Sequence, residues 1–294
     1  MKSSLGLGTV QFGLEYGVSN KAGKVHADNV ESLLALSYDS GVDVLDTAYL
    51  YGDSEKVLGE QNISSFKVVT KTPYFNKDEI VDEDVNRLIS SFKDSLLRLN
   101  LKNIYGLLIH NADDLLVSGG KKLFEAMQNL KKKGFVEKIG ASVYDSGQVD
   151  LLIKKYDFDL VQVPINVFDQ RLINGKQINK LKQKNIEVHV RSVFLQGLLL
   201  MDLDEIPDYF KPKMPVLKRW HSSVKKQGFS QLEAALSFVR DIEGVDVVLV
   251  GVQNIQQLRD CIKAFAVPGQ YNAADLSCED PQFVNPAFWK LDDN

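Results

Sequence analysis

Residues 42–60 read VDVLDTAYLYGDSEKVLGE. The apolar run from Val42 to Thr47 has the length of a strand and carries an acid, Asp46, at its end. Tyr51 follows five residues after Asp46, and Asp53, Ser54 and Glu55 then mark the start of a helix. A buried strand that ends on a carboxylate and turns directly into a helix is one β-to-α step, and the chain repeats that step along almost its whole length.

Outward from this stretch, eight runs of strand length alternate with segments of helical spacing: Ser4 to Thr9, Val42 to Thr47, Lys67 to Lys71, Ile104 to His110, Lys138 to Ser142, Leu160 to Pro164, Glu187 to Ser192 and Asp246 to Gly251. Several are nearly continuous apolar runs, as a sheet covered by helices on one face and packed on the other requires. Between them, Asp28 with Glu31 resembles a capping box and Gly41 a C-terminal stop; Ser230, Glu233 and Gly244 repeat the device. Val85, Leu88, Ile89, Phe92, Leu96 and Leu99 form the stripe of a helix laid on a core. No Pro-, Gly- or Ser-rich linker divides the chain. Eight units in strict alternation predict a single-domain (β/α)8 TIM barrel over residues 1–294, with a tail, 268–294, over or beside its mouth. The stretch Gln196 to Lys213, irregular and proline-containing, is either an active-site flap or a plain surface loop.

Composition excludes several classes of function. The 294 residues are 44% hydrophobic and 25% charged, ordinary for a globular enzyme. With 35 basic and 39 acidic side chains the net charge is -4, and no basic block exceeds Lys131 to Lys133, so nucleic acid is not an expected partner. Cys261 and Cys278 are too few for a disulfide framework or a zinc site, and no metal is expected. The opening MKSSLGLGTV lacks the apolar stretch of a signal peptide, and no run approaches the ~18 apolar residues of a membrane span. A soluble, cytoplasmic protein is the expectation, without contact with membrane.

In a barrel of this kind, chemistry sits where strands end. The polar residues at those ends are Thr9, Asp46, Lys71, His110, Ser142, Gln162, and Arg191 with Ser192. Asp46, Lys71 and His110, from strands two to four, would converge at one mouth. Buried acid and base are costly unless paired, so one reading is a structural Asp46–Lys71 ion pair beside a hydrogen-bonded His110. The functional reading adds Tyr51: a neighbouring Lys71 ammonium would lower the phenol's pKa, Asp46 would hold Lys71 charged, and His110 would hydrogen-bond the carbonyl oxygen that receives the proton. GLGTVQFG, by contrast, is no dinucleotide fingerprint, since position 11 is Gln and Gly13 comes two residues too late.

These residues, in the ordered motifs DTAYLYGDSEKVLGE, VVTK, LLIHN, KKKGFVEKIGAS and VVLVGVQN, resemble the successive signatures of the aldo-keto reductase superfamily. The resemblance spans nearly the whole chain. It implies a (β/α)8 barrel, a nicotinamide cofactor bound without a Rossmann domain, and hydride transfer between that cofactor and a carbonyl or alcohol. Asp46, Tyr51, Lys71 and His110 would be the catalytic set, with Tyr51 the proton donor and Tyr49 packing or bordering substrate. Ser142 and Gln162 match positions that hold the nicotinamide carboxamide; a further Asn is Val143 here. Arg191 stands where many relatives stack an aromatic ring on the nicotinamide, and its plainer role would be a salt bridge to Asp169 or another carboxylate at the mouth. Thr9, Gln11 and Phe12 lie near the mouth by the same resemblance, and Ser192 and Phe194 complete the expected cofactor wall. Gly251, Gln253, Asn254 and Gln257 open a helix whose N-terminus suits an adenosine phosphate, or which Asn254 simply caps. Relatives that prefer NADP set basic residues here, whereas this loop has Gln253, Gln257 and only Arg259 nearby, and a frequent Asn is Cys261. The family as a whole favours NADP(H) over NAD(H).

The leading expectation is thus a carbonyl reductase or alcohol dehydrogenase acting on a small molecule. Polar residues in the loops after the strands (Asn76, Lys77, Asn111, Arg191, Gln196) suggest a sugar or sugar derivative. The alternatives are a cofactor-binding regulatory subunit with little turnover and a cofactor-free barrel lyase or isomerase. Oligomeric state is not legible.

Overall fold

A computed structural model of the chain describes residues 3–290. Its eight strands are parallel and close into one barrel in sequence order: β1 (Ser4–Gly8), β2 (Val44–Asp46), β3 (Lys67–Lys71), β4 (Ile104–Ile109), β5 (Val136–Ser142), β6 (Leu160–Pro164), β7 (Glu187–Arg191) and β8 (Val247–Gly251). Pairing of Ser4–Gly8 with Val247–Gly251 closes the ring. The helices are α1 (Val10–Gly13), α2 (Ala27–Asp39), α3 (Ser54–Gly59), α4 (Asp82–Leu99), α5 (Lys121–Lys132), α6 (Ser146–Lys155), α7 (Arg171–Asn174), α8 (Gln177–Gln183), α9 (Met214–Gln227), α10 (Gln231–Arg240), α11 (Ile255–Ala266) and α12 (Pro281–Val284). This is the single-domain (β/α)8 architecture that the alternation predicts. Among the described residues no helix is long and apolar enough to cross a membrane.

Two apolar layers follow from the period of two along each strand. Leu5, Leu7, Leu45, Val161, Val163, Val188 and Val190 face the helices and join the large outer core. Val44, Val69, Leu108, Leu160, Val247 and Leu249 fill the barrel itself. The stripe on α4 lies as its spacing requires, with Leu88, Phe92 and Leu99 buried and Val85, Ile89 and Leu96 packed against the same core.

Boundaries shift where the chain turns at the mouth. Thr9, His110 and Ser192 lie one residue beyond β1, β4 and β7, and Val42 and Thr47 fall outside the short β2. Pairing persists past the strand ends through single bonds such as Thr9 N–H to Asp46 O at 2.9 Å, so the ladders fray gradually. The Ser230–Glu233 capping box forms as expected at α10. The one expected at Asp28 does not: α2 starts at Ala27 behind His26, which gives no side-chain cap, and Asp28 sits in the first turn. Gly41, at φ +74°, follows the end of α2 as expected. Gly244 is not a helix stop. α10 ends at Arg240, and Gly244 (φ +95°) turns the chain into β8, lying tight against Lys182 and Ile178.

The stretch 196–213 is more ordered than its sequence suggests. It contains two 3-10 segments, Leu195–Leu200 and Asp208–Lys213, whose Leu195, Leu198, Leu199 and Phe210 are buried in a second apolar cluster. Trp220 of α9 is fully buried there, and its indole N–H donates to Leu199 O at 3.0 Å. The C-terminal tail supplies Tyr271, Leu276 and Phe283 to the same cluster. The described part of the tail therefore packs beside the mouth, on the side of the loops after β6 and β7; residues 291–294 lie outside the described residues.

Candidate active site

The functional side chains continue the inward parity of the barrel filling. Asp46 is two residues beyond Val44, Lys71 two beyond Val69, His110 two beyond Leu108, and Gln162 two beyond Leu160. Each inward position is apolar deep in the barrel and polar at its C-terminal rim. The alternation that fills the barrel therefore also points these four groups at one place.

Lys71 is fully buried, and its ammonium donates to Asp46 Oδ2 at 2.7 Å and to Thr47 O at 2.8 Å. A third, longer bond at 3.4 Å reaches the Tyr51 hydroxyl. Asp46 is satisfied on its other oxygen by Gln162 Nε2 at 2.6 Å. His110 stands edge-on to Tyr51, ring centroids 5.8 Å apart, and its backbone N–H donates to Thr72 Oγ1 at 3.2 Å. All four expected catalytic residues are thus brought together, and the Asp46–Lys71 ion pair exists alongside Tyr51 and His110.

Local packing explains why Tyr51 sits where it does. A side chain at Gly13 would drive its Cβ to 1.8 Å from Tyr51 O and 2.5 Å from Ser54 N, so only glycine lets α1 press against the Tyr51 turn. Gly52 supplies the left-handed residue of that turn, at φ +54°. Ser54 and Glu55, read from the sequence as helix-start markers, face inward instead. Ser54 Oγ donates to Thr9 O at 2.8 Å, and the buried Glu55 accepts from Thr70 at 2.6 Å and from Arg98. Tyr49 packs on the Arg98 guanidinium at 4.3 Å and does not border the cavity.

The electrostatics depart from the expectation that Lys71 lowers the Tyr51 pKa. Burial pushes the phenol well above its ordinary value, the Asp46 carboxylate adds to this, and only the Arg191 guanidinium opposes it among the larger influences. The physical reason is that the ammonium is already shared with Asp46 and Thr47 O, so the phenol senses little net positive charge from it. Burial likewise pulls Lys71 below the usual lysine value, against the pull of Asp46. His110 is pushed down to about 2 by burial and by the Lys71 and Arg191 charges, and is neutral at any physiological pH.

These groups border a cavity of about 400 Å³ at the barrel mouth. Sequence reasoning missed three of its walls: Tyr16, Tyr74 and Tyr144. Each lies past a strand end rather than on it, in the loops after β1, β3 and β5, and so escaped a filter confined to strand termini. Tyr74 Oη is 3.3 Å from His110 Nε2, with ring centroids 4.5 Å apart. Gln196 O accepts from Val18 N–H at 2.9 Å and its side chain donates to Tyr16 Oη at 3.1 Å, so the loops after β1 and β7 are joined across the rim. Ser192, Leu195 and Gln196 have positive φ (61°, 48° and 55°), backbone strain concentrated beside the cavity.

The expected cofactor residues divide. Ser142, Gln162, Arg191, Ser192, Phe194, Gly251, Gln253 and Gln257 border the cavity, with Cys261 and the unforeseen Asp260; burial pushes the Cys261 thiol up to about 12. Thr9 borders it too, but its hydroxyl is spent on Asp46 O and Ser54, at 2.9 Å each. Asn254 does not border it and caps α11, accepting from Gln257 N–H at 2.9 Å. Val143 is buried, and its carbonyl accepts from Arg191. Arg191 forms no bridge to Asp169, which is held by Arg171 at 2.7 and 2.8 Å; it lies on the Tyr144 ring, 4.4 Å from the centroid. Of the loop residues offered as sugar contacts, Arg191 and Gln196 border the cavity. Asn76 and Asn111 bond one another, and Lys77 pairs with Asp84.

Comparison with known proteins agrees with this fold. The Aldo/keto reductase family profile matches residues 4–276. Pyridoxal 4-dehydrogenase of Microbacterium luteolum is 24% identical, with 92% of each chain covered. Among solved structures, the holo form of aldo-keto reductase AKR11C1 from Bacillus halodurans superposes with a TM-score of 0.72 at 19% identity, over 94% of this chain and 90% of its own. Glycerol dehydrogenase AKR11B4 from Gluconobacter oxydans gives 0.71 at 21% identity, over 97% and 93%. An eight-stranded barrel with an acid, a lysine, a tyrosine and a histidine gathered at its mouth, matched by the family profile over nearly its whole length, has one assignment: the chain belongs to the aldo/keto reductase family and is an oxidoreductase of carbonyl and alcohol groups.

Proposed function

We propose that the enzyme interconverts a small carbonyl compound and its alcohol with a nicotinamide cofactor, Tyr51 giving the proton to the carbonyl oxygen in the direction of reduction. The observation that carries this is the position of the Tyr51 hydroxyl: it borders the cavity, is held protonated by burial, and has the Lys71 ammonium 3.4 Å behind it. A proton donor must hold its proton until charge develops on the acceptor, and must then have a cation at hand to stabilise the phenolate left behind. Asp46 and Gln162 fix the lysine for that purpose. Neutral His110, beside Tyr51, hydrogen-bonds the same oxygen and so orients the carbonyl.

The residues present fit a nicotinamide cofactor. Ser142 and Gln162 present neutral amide-matching groups beside the catalytic set, 3.4 Å apart. Buried Gln253 Nε2 and Gln11 Oε1 have no partner in the protein, and both lie by Gly251 at the approach to α11. When bound, the cofactor supplies the hydride. Ser142 and Gln162 would hold its carboxamide, Arg191, Ser192 and Phe194 would flank it, Thr9 would border it through its backbone, and the Gly251–Gln253 backbone with Gln257 would take its adenosine end, next to the Asn254 cap. The family preference is for NADP(H), but the cavity wall here favours NAD(H). Gln253, Gln257 and Cys261 are neutral and Asp260 is acidic, and among the described residues no basic side chain borders this end of the cavity to meet an extra phosphate, Arg259 lying outside its wall. Fluorescence titration with NADH and NADPH decides between them, tighter NADPH binding overturning the NAD(H) reading.

Gln196 and the tyrosine hydroxyls keep a hydroxylated, sugar-like substrate as the favoured class. The catalytic proposal is tested by Tyr51→Phe, assayed by loss of reduced-nicotinamide absorbance with aldehydes and sugars: turnover should vanish while cofactor binding persists. Full activity in that variant would end the proposal.

A further inference from the structure

The Tyr74 hydroxyl faces His110 and has no part in the proton transfer proposed above. The His110 imidazole is neutral, so it holds one N–H and one lone pair. Nδ1 is buried without a partner, and Nε2 lies 3.3 Å from Tyr74 Oη. A buried N–H with nothing to accept it is the costlier of the two arrangements, which puts the proton on Nε2 and the lone pair on Nδ1. Nε2–H then donates to Tyr74 Oη, and the Tyr74 hydroxyl keeps its own hydrogen to give. Among the described residues His110 is the only hydrogen-bond partner of that hydroxyl.

The contact is built into the fold. Tyr74 lies in the loop after β3, and four bonds tie that loop to the segment after β4 that begins with His110. Thr72 Oγ1 accepts from the His110 backbone N–H at 3.2 Å. The buried Asp114 carboxylate accepts from Phe75 N–H at 3.1 Å and from Asn76 N–H at 2.9 Å, and Asn111 donates to Asn76 at 2.9 Å. Asn76 takes a positive φ, 52°, within this clamp. Tyr74 is therefore pinned on both sides to the segment that carries the imidazole it touches. Its ring is tilted against the imidazole, centroids 4.5 Å apart, and Tyr74, His110 and Tyr51 border the same cavity. Partial burial pushes the Tyr74 phenol above its ordinary value, so it stays protonated.

We propose that Tyr74 is a further catalytic residue, whose hydroxyl donates a hydrogen bond to the carbonyl oxygen with His110 Nε2–H behind it. This rests on the carbonyl-reductase reading above and replaces its direct His110 contact by one relayed through Tyr74. Tyr51 alone gives up a proton; Tyr74 keeps its own. Hydrogen bonds in series polarise one another, so a phenol that accepts from an imidazole is a stronger donor to the oxygen on which negative charge develops. Asp114, Asn76 and Asn111, which do not border the cavity, act on the reaction by holding Tyr74 in register with His110.

Tyr74→Phe keeps the ring and deletes the hydroxyl. In the aldehyde assay it should lower kcat by about 10- to 100-fold, the worth of a hydrogen bond to an oxygen gaining charge, with cofactor Kd unchanged by fluorescence. The double variant Tyr74→Phe with His110→Phe should be no slower than the slower single variant. Wild-type kcat in Tyr74→Phe, or losses that multiply in the double variant, overturns the relay. Nitrogen-15 NMR of histidine-labelled protein reads the pair without turnover. Of the four histidines, the one whose signals vanish in His110→Phe should show a protonated Nε2 and a bare Nδ1, and Tyr74→Phe should move that Nε2 resonance. A protonated Nδ1 overturns the relay alone, because Tyr74 would then donate to the imidazole and have nothing left for substrate. The expected spectrum in a wild type that reduces no aldehyde overturns the reductase reading, and this catalytic role with it, while the hydrogen-bonded pair stands.

Discussion

The barrel carries the same four residue types at each end. At the mouth are Asp46, Lys71, Tyr51 and His110; at the floor, on the first residues of β4, β5 and β7, are Glu187, Lys138, Tyr105 and His189. At the floor the carboxylate takes everything: Glu187 accepts from Tyr105 at 2.7 Å, from His189 at 2.6 Å and from Lys138. Its carboxyl is held down to about 2, the bonds from His189, Lys138 and Tyr105 overcoming the effect of burial. At the mouth the carboxylate binds only the lysine and Gln162, so the phenol and the imidazole keep bonding capacity facing a cavity. An acid, a lysine, a tyrosine and a histidine make a brace when the acid accepts from all the others, and a candidate active site when the acid leaves the tyrosine and histidine facing a cavity. Residue types alone do not distinguish these cases.

The sharpest way to break the comparison is to remove the same oxygen at each end. Tyr51→Phe should lower turnover by about 10²- to 10⁴-fold, the worth of a positioned acid. Tyr105→Phe should leave kcat unchanged in the same absorbance assay and cost about 1 kcal/mol in denaturant unfolding. Loss of turnover in Tyr105→Phe would mean that the floor is coupled to the chemistry. Next in size, Glu187→Gln should destabilise the fold by about 1.5–3 kcal/mol, because it strips a charge from three donors at once, with KM for substrate unaltered. Unfolding in urea, read by circular dichroism, checks the first part.

Acid separates the two ends by pH window. The folded pKa of Glu187, about 2, lies below its ordinary 4.5, so the stability it contributes is complete above pH 4.5 and is lost as pH falls from there toward 2. For His110 the folded value, also about 2, lies below 6.5. The unfolded chain therefore takes up that proton first, and the stability from a neutral His110 begins to fade below pH 6.5. Stability measured against pH should show a first decline below pH 6.5 that His110→Gln reduces, the lowered His221 contributing the rest, and a second below 4.5 that Glu187→Gln reduces, alongside the lowered Asp84, Asp150 and Asp280. A His110→Gln variant with the wild-type profile between pH 6.5 and 4.5 would show that the imidazole is not buried neutral. The smallest effect expected is at the Ser230 cap of α10, away from both ends: Ser230→Ala should cost about 1 kcal/mol and leave turnover untouched.

The gathering of Asp46, Lys71 and His110 at the mouth was legible because strand periodicity and the strand-end rule act on neighbours in sequence. Val44 and Asp46, Val69 and Lys71, and Leu108 and His110 share a face by parity alone; the need for a proton donor beside Lys71 added Tyr51, and the resemblance to a known family singled it out over Tyr49. Tyr16, Tyr74 and Tyr144 were not legible, because they sit in loops, where no period says which way a side chain points. The sugar argument from Asn76, Lys77 and Asn111 weakened for the same reason: a polar loop residue can spend its bonds on another loop, as these do.

By itself, then, the sequence determined the order of elements, the closure into a barrel and the inward direction of the residues at strand ends, since all of these depend on local spacing. Tertiary structure alone decided which polar groups remain free. That follows from contacts between distant segments: Gln162 reaching Asp46, Arg171 taking Asp169 from Arg191, and Glu187 absorbing every donor at the floor. Hydrogen-bond capacity is finite, so reactivity at the mouth depends on bonds that only the folded chain can assign.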